Sequence, residues 1–225
     1  MRRLLISLFL SAFCLPLCAA GPRLVEIKAP DGLVLKGSFH AAEKSSGRAV
    51  LLLHGMSGSR GTWASVVEPL LQAGISVLAI DQRGYGETGG AMNFNDSMGD
   101  ARLWLSWLRG QPDITPDRIG VAGASMGADV SIPVCSRDSQ CAAVIALSPC
   151  NGSNKETLDF KGRGLLVLAA HKDKTSFLSA QAIFVQAQGD VAVHIVEGNA
   201  HGITTLFDDD RSRIPEFVNW LDYHL

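Results

Sequence analysis

Short apolar runs alternate with segments of helical periodicity along most of this chain. Six runs have the length of buried strands, namely residues 49–53, 75–80, 119–122, 142–147, 165–169 and 191–196. Between the runs, apolar residues recur three and four positions apart, as at Trp63, Val67, Leu70 and Leu71. Buried strands joined by amphipathic helices are typical of parallel sheets. The pattern therefore predicts an α/β fold, with a largely parallel sheet and helices on both faces.

The ends of this pattern indicate one domain. A hairpin over residues 24–39 opens it, and a helix over residues 214–221 closes it. Between the strand that ends at Leu147 and the strand that starts at Leu165 lie about 17 residues, which is too short a connection for a separate helical lid. We therefore expect a single domain, residues 21–225, without a lid domain.

The first 20 residues have the layout of an export signal. Arg2 and Arg3 precede an apolar stretch over residues 4–17, and small residues then lead to Ala20. This order is typical of secretory signals, and the stretch is short for a membrane span. We expect cleavage after Ala20 and export to the periplasm or the cell exterior, with an uncleaved anchor as the alternative. Because no second hydrophobic span follows, no stable membrane insertion is expected after cleavage.

The charge and the cysteines of the chain bear on nucleic-acid binding, on disulfide formation and on zinc binding. The 225 residues carry a formal net charge of −2 and no basic run, which gives no electrostatic case for binding nucleic acid. Cys135 and Cys141 flank a polar stretch where a helix should meet the next strand, so they either form a disulfide or remain an unpaired core pair. The absence of a C-x-x-C pattern argues against a structural zinc site.

The candidate nucleophile is Ser125, in the pentapeptide Gly123-Ala124-Ser125-Met126-Gly127. This G-x-S-x-G pattern directly follows an apolar run and precedes a predicted helix. Small residues let the backbone crowd into a sharp strand-to-helix turn, which exposes the serine hydroxyl. A serine in this setting predicts nucleophilic catalysis, provided that a base and an oxyanion site lie nearby.

The candidate base is His201, in a loop of small residues after the last predicted strand. A serine hydroxyl needs a base to take its proton and a third group to orient that base. Asp173 fits the third role, because it lies in the polar loop that follows the run 165–169. Its alternative interpretation is a helix N-cap for the segment from about Thr175, and Asp159 is a weaker rival for the orienting role.

An oxyanion site needs two hydrogen-bond donors. The backbone N–H of Met126 is one candidate, because it opens the helix after the serine. The backbone N–H of Met56 is the other, in the flexible loop His54-Gly55-Met56-Ser57-Gly58 after the run 49–53. Losing one such donor typically costs about 3 kcal/mol of transition-state stabilisation.

A second glycine motif does not predict a cofactor. Residues 84–89 match G-x-G-x-x-G after a strand, but residues 90–95 continue as a loop instead of opening a helix. No strand with a terminal acid follows at the spacing that dinucleotide sites use. We interpret the motif as a loop that shapes the pocket wall, and we expect no cofactor and no metal.

Together these motifs give the chain a resemblance to the α/β-hydrolase superfamily over nearly all of its mature length. The residues that carry it are His54-Gly55 and the loop after them, Asp81-Gln82-Arg83-Gly84-Tyr85-Gly86, the Ser125 turn, Asp173 and His201-Gly202. The resemblance implies an eight-stranded, mostly parallel sheet and a Ser-His-Asp hydrolase, with Asp81 and Arg83 in structural roles. The chain looks most like small lidless members such as dienelactone-hydrolase-like esterases, many of which use Cys where Ser125 stands.

The sequence therefore predicts an exported serine hydrolase that cleaves carboxylic esters through an acyl-enzyme, with Ser125, Asp173 and His201 as its triad. An uncovered site favours short-chain or bulky soluble esters as the small-molecule substrate. Two alternatives remain open. The same residues could cleave amide or peptide bonds, or the chain could be a binding protein that keeps the fold without turnover.

Overall fold

The computed structural model describes residues 21–152, 158–210 and 212–225, so the predicted export signal at residues 1–20 lies outside it. The strands are β1 (Arg23–Lys28), β2 (Val34–His40), β3 (Arg48–Leu53), β4 (Ile75–Asp81), β5 (Ile119–Ala124), β6 (Cys141–Leu147), β7 (Leu158–Ala170) and β8 (Ala187–Val196). They form one eight-stranded sheet in the order β1-β2-β4-β3-β5-β6-β7-β8. Strand β2 pairs antiparallel with both neighbours, and every other adjacent pair is parallel. The predicted sheet is confirmed.

Helices cover both faces of this sheet, as predicted. They are α1 (Ala64–Gln72), α2 (Phe94–Arg109), α3 (Met126–Ser136), α4 (Lys174–Gln186) and α5 (Ile214–His224), with 3-10 helices at Arg60–Trp63 and Gly202–Asp210. The buried side chains of α1 and α5 pack on one face, and those of α2, α3 and α4 pack on the other. None of the helices in the described ranges is long and apolar enough to cross a membrane.

The apolar runs reflect burial on both faces of the central strands. On β3, Leu51 and Leu53 pack towards α2 and α3, whereas Val50 and Leu52 pack towards α1 and α5. Successive side chains of a strand point to opposite faces, so a strand covered on both sides must be apolar at every position. The crossover helices supply the two outer layers that make this burial possible.

The last part of the sheet differs from the prediction in its strand lengths. β7 begins at Leu158 instead of residue 165, and β8 begins at Ala187 instead of residue 191. The added residues pair with each other, as Phe160 does with Gly189, so tertiary pairing extends a segment that lacks the apolar pattern. The connection from β6 to β7 is correspondingly shorter, and the described part of the chain shows no lid.

Cys135 and Cys141 form a disulfide with an S–S distance of 2.01 Å, which decides between the two alternatives that the sequence left open. The bond joins the last turn of α3 to the first residue of β6, at the end of the sheet opposite to Ser125. Cys150 is a free thiol.

Asp81 and Arg83 hold the loop that follows β4. The buried Asp81 carboxylate accepts the backbone N–H of Arg60 at 2.7 Å and of Glu87 at 3.0 Å, and it pairs with the Arg60 guanidinium. Arg83 donates two hydrogen bonds to Asp100, at 2.6 and 2.8 Å. These contacts are structural in kind, as the resemblance implies.

Candidate active site

A strained turn presents Ser125 between β5 and α3. The residue has φ 53° and ψ −118°, in the region of positive φ that non-glycine residues rarely adopt. Its N–H donates to the carbonyl of Leu147 at 2.8 Å, and its carbonyl accepts the N–H of Ala128 at 2.8 Å. Hydrogen bonds on both sides of the residue therefore fix the turn, and the hydroxyl is held at the carboxyl end of the sheet.

The two glycines of the pentapeptide are required by close backbone contacts. A Cβ on Gly123 would lie 2.1 Å from the carbonyl oxygen of Gly127, and a Cβ on Gly127 would lie 2.1 Å from that of Leu53. Real Cβ atoms do not approach a carbonyl oxygen this closely. The turn can form only because both positions lack a side chain.

Asp173 and His201 are brought together by the loops that follow the paired strands β7 and β8. Beyond the strands, the N–H of His171 donates to Val196 at 2.8 Å, and the N–H of Lys172 donates to Gly198 at 2.8 Å. The two loops therefore remain side by side after the sheet ends. This continued pairing places residues 28 positions apart in direct contact.

Ser125, His201 and Asp173 form one hydrogen-bonded chain. The Nε2 of His201 lies 2.7 Å from the Oγ of Ser125, and its Nδ1 lies 2.5 Å from the Oδ2 of Asp173. Because a carboxylate can only accept, we assign the imidazole proton to Nδ1, which leaves Nε2 free to accept the serine O–H. The His201 side chain is 45% exposed, so the site is open to solvent.

Asp173 makes the contacts that both interpretations of the sequence require. It is the N-cap of α4, where its Oδ1 accepts the N–H of Ser176 at 3.3 Å, and its Oδ2 bonds to His201. Burial raises the pKa of this carboxyl, but hydrogen bonds from His201 and from the side chain and N–H of Ser176 outweigh that effect and lower it below its usual value. The rival Asp159 lies at the start of β7, where it accepts the N–H of Lys161.

The loop after β3 passes directly against the serine. A Cβ on Gly55 would lie 3.2 Å from the Cβ of Ser125. The loop turns tightly here, since the N–H of Gly58 donates to the carbonyl of Gly55 at 3.2 Å and Ser57 has φ 59°. Among the described residues, no loop or turn hydrogen bond uses the N–H of Met56 or the N–H of Met126. Met126 directly follows Ser125 in the chain, and Met56 directly follows Gly55, which packs against Ser125. Both candidate oxyanion donors therefore belong to segments that adjoin the serine.

Three residues near the serine escaped sequence reasoning, namely Asp129, Cys150 and Ser176. Asp129, on the first turn of α3, accepts the N–H groups of Cys150 at 2.8 Å and Asn151 at 3.0 Å, and so holds the loop after β6. Burial raises the pKa of Asp129, although these two N–H donors oppose the shift. Ser176 stands three residues after Asp173, where a capping box has Glu or Gln, so the sequence gives no signal for it.

Burial also raises the pKa of the Cys150 thiol, and the charge of Asp129 adds to the effect. The sulfur lies 4.0 Å from the Oγ of Ser176, so this cysteine borders the site. A raised pKa favours the protonated thiol, which is a poorer nucleophile than the thiolate.

The second glycine motif, residues 84–89, has a structural role in the loop after β4. The N–H of Gly84 donates to the carbonyl of Gly89 at 2.6 Å, and the loop between them folds around the Asp81 carboxylate. Within the described ranges, no group of three or more His, Cys, Asp or Glu side chains could hold a metal ion.

The sheet order, the strained serine turn and the loops after β7 and β8 define the class of this protein, which is an α/β hydrolase. The chain belongs to the family whose model is described as serine aminopeptidase, S33. That model matches residues 44–163, which is more than half of the chain.

Relatives with similar sequence match the chain over part of their length. An uncharacterized protein of Mycobacterium tuberculosis is 38% identical over 109 residues, which cover 48% of this chain and 39% of that protein. A thiohydrolase of Aspergillus aculeatus is 31% identical over 132 residues, which cover 56% of this chain and 41% of the relative. The chain therefore spans about two fifths of the length of these relatives.

Solved structures confirm the fold at low sequence identity. The α/β hydrolase GrgF of Penicillium has a TM-score of 0.78 at 15% identity, over 91% of this chain and 99% of its own. An esterase of Pyrococcus furiosus has a TM-score of 0.72 at 21% identity, over 90% and 92%. A dienelactone hydrolase of Anabaena variabilis has a TM-score of 0.68 at 18% identity, over 92% and 100%. The predicted resemblance to this superfamily is confirmed.

Proposed function

We propose that this hydrolase is a serine esterase, with Ser125 as nucleophile, His201 as general base and acid, and Asp173 as the residue that orients the imidazole. The observation that carries the proposal is the unbroken hydrogen-bonded chain from the Oγ of Ser125 through both nitrogens of His201 to Asp173. Each link has the length and the donor–acceptor order that proton transfer from a serine requires.

The proposed reaction proceeds in two steps. His201 Nε2 takes the proton of Ser125 as its Oγ attacks the ester carbonyl, and the carbonyl oxygen becomes an oxyanion between the N–H groups of Met56 and Met126. When the intermediate collapses, His201 gives that proton to the departing alkoxide, and the acyl group stays on Ser125. Water then attacks the acyl-enzyme with His201 again as base, which releases the acid and restores the serine. No cofactor or metal takes part.

The exposure of the site supports small or bulky soluble esters as substrates. Met56 is 67% exposed beside the serine, and His201 is nearly half exposed, so little of a long acyl chain would be covered. Hydrolysis of nitrophenyl esters of increasing chain length tests this. We expect kcat/KM to be highest for the shortest chains, and an increase up to long chains would contradict the proposal.

A second candidate function is peptide or amide hydrolysis by the same residues. The observation that favours it is the family itself, whose description is that of a serine aminopeptidase. Parallel assays with nitrophenyl esters and amino-acid anilides separate the two. Our proposal expects rapid cleavage of esters, slow cleavage of anilides and loss of both in Ser125→Ala. Faster cleavage of an anilide than of any ester would favour the peptidase.

We also propose that the protein is exported after removal of residues 1–20. The order of charge, apolar stretch and small residues in that segment supports export, and so does the Cys135–Cys141 disulfide, since disulfides persist in oxidising compartments. The mass of the protein recovered from the expressing cell tests this, with a mature chain that starts at Gly21 as the expected result. Recovery of the full-length chain in the membrane fraction would support the anchor instead.

A further inference from the structure

A buried hydroxyl lies beside the acid–base pair. Ser176 is the third residue of α4, and its side chain is fully buried. Its Oγ lies 3.4 Å from the Nδ1 of His201 and 4.0 Å from the sulfur of Cys150, and its position beside Asp173 helps to lower the pKa of that carboxyl. One hydroxyl thus lies beside both members of the pair that must activate Ser125.

The donors and acceptors around Ser176 determine the direction in which its hydroxyl can form hydrogen bonds. Of the two neighbours, only the Asp173 carboxylate can accept the Ser176 O–H, because Nδ1 of His201 carries a proton, so the oxygen lone pairs of Ser176 remain available to that proton. Those lone pairs lie within reach of Nδ1, whose proton is directed mainly at Asp173 Oδ2, 2.5 Å away. The Nδ1–H of His201 therefore finds an acceptor oxygen on each of two residues. This arrangement opposes rotation of the imidazole away from Ser125.

We propose that Ser176 is a positioning residue of this hydrolase, which acts by holding Asp173 and His201 in the orientation that directs Nε2 at Ser125. The inference rests on the proposed function, because it assumes that His201 is the base. It assigns Ser176 no contact with substrate and no part in proton transfer. Its effect passes through Asp173 and His201 alone.

A purely structural role makes a different prediction. Ser176 also helps to begin α4, but that contact uses its backbone N–H, which donates to Asp173 Oδ1. Ser176→Ala keeps this N–H and removes only the hydroxyl contacts. Loss of the hydroxyl should therefore change catalysis while the helix start remains intact.

The test is a double-mutant cycle with a soluble nitrophenyl ester. We expect Ser176→Ala to lower kcat about tenfold with little change in KM, the rate equivalent of one hydrogen bond to a charged group. In an Asp173→Asn background we expect the same substitution to have almost no further effect, because the carboxylate that orients His201 together with Ser176 is already altered. Ser176→Cys, which keeps the volume with a weaker donor, should lie between, and it replaces the alanine variant if that variant does not fold.

Ser131→Ala is the matched control. Ser131 is also fully buried on a helix, and its hydroxyl donates to the carbonyl of Ala128 at 3.0 Å within that helix. We expect this variant to keep the wild-type kcat. A wild-type kcat in Ser176→Ala, or an equal loss with and without Asp173, would overturn the role of Ser176 while leaving the esterase proposal in place. No turnover by the folded wild type would overturn both.

Discussion

At the scale of single residues, the proposed chemistry depends on backbone groups as well as on side chains. The strained backbone of Ser125 aims its hydroxyl at His201, and the two amides beside it are the proposed oxyanion donors. The side chains of Met56 and Met126 are not needed for that role, which explains how methionine can occupy positions with a polar function. The amide of Met56 can therefore be tested by a substitution that removes its N–H, compared with one that removes only the side chain.

We predict that Met56→Pro lowers kcat by roughly 100-fold or more, as loss of one oxyanion donor does. Residues 55–58 form a turn with a hydrogen bond from Gly58 to Gly55 and a positive φ at its third residue, Ser57, which is the pattern of a type II turn. Proline is favoured at the second position of such turns, where Met56 stands, so the fold should tolerate the change.

Met56→Ala is the control for this substitution, since it removes the same side chain and keeps the N–H. We expect it to retain most of the wild-type kcat, and circular dichroism should show both variants folded. Equal kcat values for the proline and alanine variants would assign the second oxyanion donor to another group.

At the scale of elements, the turn between β5 and α3 is the most constrained part of the molecule. It requires β3, β5 and α3 to approach so closely that Gly127 lies against the carbonyl of Leu53. The crossing of a strand and a helix at this distance is what lifts Ser125 out of the sheet. The close packing at Gly127 and the exposure of the Ser125 hydroxyl therefore depend on the same turn.

We predict that Gly127→Ala lowers the free energy of unfolding by at least about 2 kcal/mol and abolishes ester hydrolysis, because its Cβ would collide with backbone that cannot move aside. Gly99→Ala provides the comparison. Gly99 lies inside α2 with no atom near its Cβ position, so alanine there should stabilise the protein by about 1 kcal/mol and leave kcat unchanged. Urea unfolding and an ester assay measure both variants. Wild-type activity in Gly127→Ala would contradict this account of the turn.

The elements also show which features a sequence can reveal. The proximity of Ser125, Asp173 and His201 was predictable because each follows an apolar run of strand length, and parallel strands end at one edge of the sheet. The start of β7 was not predictable, because residues 158–164 hold only two apolar side chains, Leu158 and Phe160, beside two glycines, and they become a strand by pairing with β8. The contact of Ser176 with His201 was likewise hidden, since it depends on the angle at which α4 leaves Asp173.

At the scale of the whole molecule, buried histidines make stability depend on pH. His54 is fully buried at the end of β3, where its Nε2 accepts the N–H of Gln82 and its Nδ1 lies 2.6 Å from the carbonyl of Gly55. Burial lowers the pKa of His54 below its usual value, although the Gly55 carbonyl and the charge of Asp81 oppose the shift. Partial burial likewise lowers the pKa of His40, which is half-buried on β2. Both side chains are therefore neutral in the fold at pH values where the unfolded chain is protonated.

We predict that the free energy of unfolding falls as pH drops from 7.5 to 5.5. The unfolded histidines bind protons near their ordinary pKa of about 6.5, whereas the folded ones do not, so acidification favours the unfolded state. Each such group adds a slope of up to about 1.4 kcal/mol per pH unit below that value. Urea unfolding at several pH values measures the slope, and His40→Gln should reduce it. A stability that rises on acidification over this range would contradict the assignment.

The central claim is that Ser125 is the activated nucleophile, and labelling with a fluorophosphonate followed by peptide mass spectrometry tests it most directly. We predict one adduct on the wild type, located on Ser125, which is retained in Cys150→Ala. We expect it to be lost in Ser125→Ala, since the raised pKa of the neighbouring Cys150 thiol keeps that thiol from replacing the serine. No adduct on the folded wild type, or an adduct on a residue other than Ser125, would contradict the account.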